Sequence, residues 1–489
     1  MPRGLSILLA TVVVVCVAMA IRCCRVVVQG DDAYITYVYA QSVAQGHGFR
    51  FNVDGPQVLG TTTPLYTLLL AGGAKLGADI PVFSMVIGAV SMTIAAALLL
   101  LLAADLGMLL VGFVAAVAWS LSPQSWLVSE GMETGLYLAL ILAALWTAHR
   151  GWRTSALTLG AVCVLTRPDG LAVLVAVAVH LAVGRRWSWS AALPAGVLLG
   201  GWGAYAWLAF GSPLPTSGLA KVVHETAISG RFSLLSPTLF GLVFPLTWLA
   251  LVSNADAASW LTVLALVVEW LAVGVVFVFR RRPAGRMVLL WAALYAAGYL
   301  ALGVPNFGWY YAPLGLVGGL VLWAGVRHLL QVVPRRLGGV WPTVGDGVLI
   351  ALGLASAGAV LVAAPPPLPA GDQVTDPHQL AGVWLHDHAR PDATVVAYEV
   401  GKLRYFSDLL TIDLLGLTEP EARPFLERRD YAWAVRERPD YIFAVDPPGT
   451  WPVTAALAAE PIFGAEYVPL VRFADRPGQD YVLFGRRPT

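Results

Sequence analysis

Asp31 and Asp32 stand side by side directly after an apolar stretch, roughly residues 5–28, in the segment Val28-Gln29-Gly30-Asp31-Asp32-Ala33-Tyr34. At about 1.5 Å per residue such a stretch crosses a bilayer as one helix. The two carboxylates therefore sit where a membrane span reaches one face of the membrane, a place where acids are costly to desolvate. Three roles fit them: capping the helix that follows, taking a proton as a general base, or holding a divalent cation. A cap needs only one aspartate, and its neighbour projects elsewhere, so at least one of the pair is a catalytic candidate.

Other chemically useful residues also lie at the ends of apolar stretches. Glu130 and Glu133, three apart, share a helix face at the start of a span, where the helix dipole alone would favour them. Arg167 and Lys221 lie at span ends, placed either to meet an anionic group or to snorkel to the interface. Tyr34, Tyr37, Trp309, Tyr310 and Tyr311 offer flat faces to a ligand, or form an interfacial aromatic belt. Glu269, mid-span beside Trp270, is a functional candidate by position. His386-Asp387-His388 looks metal-like, but residues i and i+2 point to different sides of a helix, so a surface role is expected. Cys16, Cys23, Cys24 and Cys163 all lie in or at apolar segments, which leaves the C-terminal part without a disulfide.

The elements that must position these residues are mostly membrane helices. Of 489 residues 58% are hydrophobic and only 12% charged, against about 25% charged in soluble domains. A net charge of +1 carries no footprint for nucleic acid. Residues 370–489 hold 12 Lys+Arg against 18 Asp+Glu, and residues 1–369 hold 19 against 12. The pattern predicts an all-α polytopic membrane bundle over 1–364, a Pro-rich linker over 365–371, and a small α/β domain over 372–489. Eleven spans are expected, at about 5–28, 81–104, 106–121, 132–149, 154–166, 168–184, 189–210, 258–279, 287–304, 310–331 and 345–364. Ala18-Met19-Ala20 resembles a leader-cleavage site, but the apolar region is too long for a leader, and an uncleaved anchor is expected.

Loop charges orient the bundle. With the N-terminus in the cytoplasm, Arg3 and the loops 149–153, 184–186, 280–286 and 327–336 hold 12 of the 19 basic residues of the membrane part. This requires 239–252 to be re-entrant or interfacial, broken at Phe244-Pro245. Nine of the twelve acids of that part then face outward: Asp31, Asp32, Asp54, Asp79, Glu130, Glu133, Asp169, Glu225 and Asp256. The first outer loop, about 30–80, is expected to carry two interfacial helices. One follows Asp31-Asp32 with Ile35, Val38, Tyr39 and Ser42 on one face and ends at Gly46-His47-Gly48. The other opens at Thr61-Thr62-Thr63-Pro64. In the C-terminal domain, strands are expected at 394–398 and 441–445 and helical segments near 376–389 and 418–437.

Asp31-Asp32-Ala33-Tyr34-Ile35-Thr36-Tyr37-Val38-Tyr39-Ala40, Gly46-His47-Gly48-Phe49-Arg50-Phe51-Asn52 and Gly60-Thr61-Thr62-Thr63-Pro64-Leu65-Tyr66 together resemble the first loop of GT-C glycosyltransferases, in particular bacterial mannosyltransferase-like and arabinofuranosyltransferase-like members. Gly131-Met132-Glu133-Thr134, Thr166-Arg167-Pro168-Asp169-Gly170, Ala220-Lys221, Trp309-Tyr310-Tyr311-Ala312-Pro313 and Asp413-Leu414-Leu415-Gly416-Leu417 extend the resemblance along most of the chain. It implies a multi-pass enzyme of the cell membrane with its site and C-terminal domain outside. Such an enzyme would transfer a sugar from a polyprenyl-phosphate donor, with inversion, to a glycan, lipid or protein acceptor. One of Asp31 and Asp32, with Asp32 slightly favoured, would be the base. Arg167 and Lys221 would meet the leaving phosphate, and Tyr34, Glu130, Glu133, Trp309 and Tyr310 would contact substrate. No obligatory cofactor is implied, and a divalent cation is compatible with the adjacent acids. The competing classes are a transporter or flippase, which inverted repeats and midplane charges would mark, and a non-catalytic glycolipid-binding membrane protein.

Overall fold

The computed structural model of the chain describes residues 3–23, 29–121, 125, 131–218, 220–221, 230–234, 236, 283–336, 347, 350–351, 376–446, 452–476 and 479–488. Its first part is helical: α1 (Arg3–Cys23), two shorter helices in the first long loop, α2 (Asp31–Ala44) and α3 (Pro64–Lys75), then α4 (Ile80–Asp105), α5 (Leu109–Leu121), α6 (Thr134–Arg150), α7 (Arg153–Thr166), α8 (Leu171–Val183), α9 (Trp189–Phe210), α10 (Pro283–Leu302) and α11 (Gly308–Arg336). Among the described residues, four helices are long and apolar enough to cross a membrane: Ile80–Asp105, Trp189–Phe210, Pro283–Leu302 and Gly308–His328. The spans expected at 258–279 and 345–364, and the stretch 239–252, lie outside the described residues apart from 347 and 350–351.

Small residues let these helices approach closely. A Cβ on Gly112 of α5 would stand 2.3 Å from Ala103 of α4, so the glycine permits the contact. The bundle core gathers Ala95, Leu99, Ala103, Ala115, Tyr137, Leu142, Trp291 and Tyr295. At one end, Arg150 closes α6 onto α4 by a bidentate pair with Asp105, at 2.7 and 2.9 Å.

The C-terminal part is the expected small α/β domain: α12 (Pro377–His388), β1 (Thr394–Ala397), α13 (Gly401–Ser407), β2 (Leu410–Asp413), α14 (Arg423–Glu427), β3 (Tyr441–Asp446), α15 (Pro452–Ala459), α16 (Pro461–Glu466), β4 (Tyr467–Arg476) and β5 (Gln479–Arg486). The strand order is β2-β1-β3-β5-β4. β2, β1 and β3 are parallel, with Val395 opposite Thr411 on one side and Tyr441 on the other, while β5 runs antiparallel to both β3 and β4. The helical pattern read near 418–437 is broken into three short turns, 420–422, 423–427 and 433–437. Pro420 and Pro424 each open a new turn, and Arg429 and Arg438 take positive φ of 58° and 55°.

The first-loop helix α2 departs from its expected interfacial setting. It begins at Asp31, favoured by two acids in its first turn, and stops where Gly46 turns to φ +90°. Residues 33–40 are all buried. Ala33, Tyr34, Tyr37 and Ala40 pack against Tyr66 and Leu70 of α3. Ile35, Val38 and Tyr39 belong to the core of the C-terminal domain. A one-sided apolar count from sequence missed the second face because its alanines and tyrosines are only weakly apolar.

Candidate active site

A cavity of about 610 Å³ opens where the first loop, the ends of the bundle helices and the C-terminal domain meet. Asp32, Ile35 and Thr36, at helix spacing i, i+3 and i+4, present one stripe of α2 to it. The Gly60–Thr63 segment adds a second wall. There the Thr61 and Thr63 hydroxyls bond at 3.0 Å and the Thr63 N–H donates to the Thr61 hydroxyl at 3.2 Å. Thr63 stands at the N-cap of α3 without a side-chain bond to the helix. Gly60 has no room for a side chain: a Cβ would lie 2.3 Å from the Tyr39 hydroxyl and 3.1 Å from the Leu417 carbonyl oxygen.

Arg167 enters the cavity because Pro168 ends α7. A residue before proline is driven out of the helical region, and Arg167 is extended at φ −154°, ψ 139°. The return turn closes on Gly170, where a Cβ would strike the Cys163 backbone at 2.3 Å. Arg167 is 5% exposed, and each of its three guanidinium nitrogens donates a hydrogen bond. It donates to Glu133 at 3.2 Å, to Asp169 at 3.2 Å and to the Tyr299 hydroxyl at 3.1 Å. Tyr299 in turn donates to Asp169 at 2.6 Å. The rings of Tyr137 and Tyr310 lie 5.4 and 5.2 Å from its central carbon. Glu133 is itself placed by the first loop. Tyr37 of α2 and Tyr66 of α3 both donate to the Gly131 carbonyl at 3.0 Å, two residues before it.

Lys221 reaches the same cavity from a helical residue beyond the end of α9. Its ammonium is 2.9 Å from the Asp32 carboxylate and lies 5.4 and 5.5 Å from the rings of Phe307 and Trp309. Those rings stack at 4.5 Å and 16°. The remaining walls are Leu171, Ala172 and Val175 of α8 and Leu294, Gly298 and Leu302 of α10. Leu171, Val175 and Leu302 are exposed on the outside of the bundle. Among the described residues no group of three or more His, Cys, Asp or Glu side chains is arranged to hold a metal ion.

The cavity thus brings together Asp32, Glu133, Arg167, Lys221, Trp309 and Tyr310. Asp31 and Tyr34 are not among its lining residues. The Asp31 carboxylate accepts the backbone N–H groups of Gly401 and Lys402 at 2.9 and 2.8 Å. Burial pushes its pKa up to about 6, against the pull of the nearby His378 charge. Tyr34 packs edge-on against Tyr37 and Tyr405, with centroids 4.9 and 5.2 Å away. Glu130, like Glu269, lies outside the described residues. Sequence reasoning did not single out Asp169, Tyr295, Tyr299 or Leu417 as site residues. Asp169 was visible as an outward acid beside Pro168, but the two tyrosines, inside an apolar run, gave no signal. His388 stacks on Trp384 at 4.5 Å and 6°, off any cluster.

Residues 370–484 match a family model described as a domain of unknown function, DUF8728. No curated protein matches the chain by sequence. Solved structures do match. The apo oligosaccharyltransferase of Archaeoglobus fulgidus aligns with a TM-score of 0.56 and 11% identity over 91% of this chain and 70% of its own. ArnT of Cupriavidus metallidurans, bound to undecaprenyl phosphate, aligns with a TM-score of 0.54 and 14% identity over 99% and 98%. AglB of A. fulgidus, in complex with an inhibitory peptide and a dolichol-phosphate, gives 0.52 and 12% over 90% and 69%. At such identities the likeness establishes the fold.

Proposed function

The chain has the GT-C fold, and on that premise we propose that it is an integral membrane glycosyltransferase. It moves a sugar from a polyprenyl-phosphate donor to an extracytoplasmic acceptor with inversion. One observation carries the reading: a carboxylate and an ammonium, Asp32 and Lys221, meet at 2.9 Å in a largely apolar and aromatic cavity that also holds Arg167 with Glu133 and Asp169. A base and a cation for a leaving phosphate are the two groups this displacement needs.

Asp32 takes the proton of the acceptor hydroxyl as its oxygen attacks the anomeric carbon from the face opposite the leaving group. The bond from that carbon to the phosphate oxygen breaks, and the phosphate departs with the electron pair. Lys221 meets the growing phosphate charge. As the donor phosphate draws the ammonium toward itself, the Asp32 oxygen it held becomes available to the acceptor. Arg167, fixed by Glu133, Asp169 and Tyr299, forms the floor below and adds a second cation near the leaving phosphate. The polyprenyl chain lies along the apolar α8–α10 wall, which is continuous with the exposed surface of the bundle. Trp309 and Tyr310 supply ring faces for the sugar. The loop charges support an extracytoplasmic cavity and C-terminal domain. The lipid phosphates held by ArnT and AglB fit this donor class.

The test is donor consumption in liposomes across a panel of polyprenyl-phosphate sugars, with wild type beside Asp32→Asn. Loss of one donor only in the wild type supports the reading. Equal consumption by both proteins removes Asp32 from the chemistry.

A further inference from the structure

Successive residues of a helix point about 100° apart, so adjacent aspartates cannot face the same partner. Asp32 faces the cavity, while Asp31 faces the C-terminal domain and receives two of its backbone N–H groups, from Gly401 and Lys402. The approach is close enough that a Cβ on Gly401 would sit 2.1 Å from the Asp31 carbonyl oxygen. The grip extends further. The Lys402 ammonium turns to Asp376, whose carboxylate caps α12 by accepting the His378 N–H at 2.9 Å. His378 also touches Glu399 at 2.6 Å. Farther along the first loop, Asn52 and Thr411 exchange two hydrogen bonds, at 2.9 and 3.1 Å. The domain held this way delivers a cavity wall. Asp413 binds the N–H groups of Leu415 and Thr418 at 2.8 and 3.0 Å, and Gly416 turns at φ +69°. This stiff loop sets Leu417 into the cavity wall that also contains Asp32 and Ile35.

We propose that Asp31 is a positioning residue. It latches the C-terminal domain onto the helix that carries the base, so that Leu417 completes the acceptor side of the cavity. The functional half of this proposal rests on the reading of Asp32 as the base; the latch itself does not.

A base needs its negative charge, whereas a latch needs acceptor oxygens. In the full chain reconstituted in nanodiscs, Asp31→Ala speeds hydrogen exchange of the Gly401 and Lys402 amides at least about tenfold. Asp32→Asn leaves that exchange unchanged. Asp31→Asn keeps one acceptor oxygen, so it lowers turnover by no more than about tenfold, whereas Asp32→Asn abolishes it. Asp31→Ala lowers turnover while undecaprenyl phosphate binding stays within about twofold, because the lipid wall is elsewhere. Wild-type exchange rates in Asp31→Ala overturn the latch. So does an Asp31→Asn protein as inactive as Asp32→Asn with its Gly401 and Lys402 amides still protected, since Asp31 would then act through its charge. If the wild type consumes no donor, the base reading and the acceptor-side role both fail, and the exchange result still decides the latch.

Discussion

Arg167 is 5% exposed and holds the buried Glu133 and the half-buried Asp169, each at 3.2 Å. Arg167→Met removes their guanidinium and leaves both charges with little water to solvate them. Breaking a buried pair from one side costs about 3–5 kcal/mol, so thermal unfolding in detergent, followed by tryptophan fluorescence, should start at clearly lower temperature. Arg167→Lys keeps the charge but not the fork. It loses one or two hydrogen bonds worth about 1.5–3 kcal/mol each to charged partners, and it should fall between. Adding Glu133→Gln and Asp169→Asn to Arg167→Met removes the stranded charges and should recover most of the stability. It should not recover transfer, which stays about 10²–10³-fold down for want of a cation near the leaving phosphate. An Arg167→Met protein as stable as wild type, or a triple variant with normal transfer, would refute this account of the cluster.

Three further outcomes are expected. Lys221→Met, which removes the ammonium 2.9 Å from Asp32, lowers turnover about 10²–10³-fold in protein that unfolds like wild type, and Lys221→Arg keeps part of it; donor-consumption rates decide. Gly60→Ala forces a methyl to 2.3 Å from the Tyr39 hydroxyl and costs about 1–3 kcal/mol as an overpacked site; Tyr39→Phe removes the oxygen and restores part of the loss in thermal unfolding. For His378, burial opposes the charge, but bonds to Asp376 and Glu399 outweigh it and hold its pKa up to about 10, from 6.5. A folded pKa above the unfolded one gives stability fully present below pH 6.5 and lost as pH rises through about 10. The unfolding temperature should therefore fall between those limits, and His378→Gln should flatten that slope.

Much of the architecture could be read from hydropathy, because a span needs some twenty apolar residues and little else competes with that signal. The α/β character of the C-terminal domain was readable from Thr394-Val395-Val396-Ala397 and Tyr441-Ile442-Phe443-Ala444-Val445, short β-branched and aromatic runs between helical segments. The Asp31-Asp32 pair could be recognised as unusual, but the different partners of the two carboxylates could not. That difference depends on Gly401 and Lys402, 370 residues away, which no local pattern ties to Asp31. The same holds for the burial of α2. Its alanine and tyrosine face looks half-polar until a second domain is packed against the opposite side. Arg167 was readable as an outward cation before proline, with Asp169 two residues on, but its partner Tyr299 comes from α10, and an apolar run hides a tyrosine well. The helical reading of 418–437 failed for a local reason, two prolines and two positive-φ arginines, which its apolar spacing outweighed.

In the proposed reaction Asp32 removes a proton from an acceptor while a polyprenyl-phosphate sugar is the donor. It is tested most directly by following loss of each lipid-linked sugar from liposomes holding wild type, Asp32→Asn or Asp31→Asn. The account predicts that one donor is consumed by the wild type, that Asp31→Asn retains measurable consumption, and that Asp32→Asn shows none while unfolding at the wild-type temperature. Consumption by Asp32→Asn at the wild-type rate would contradict it.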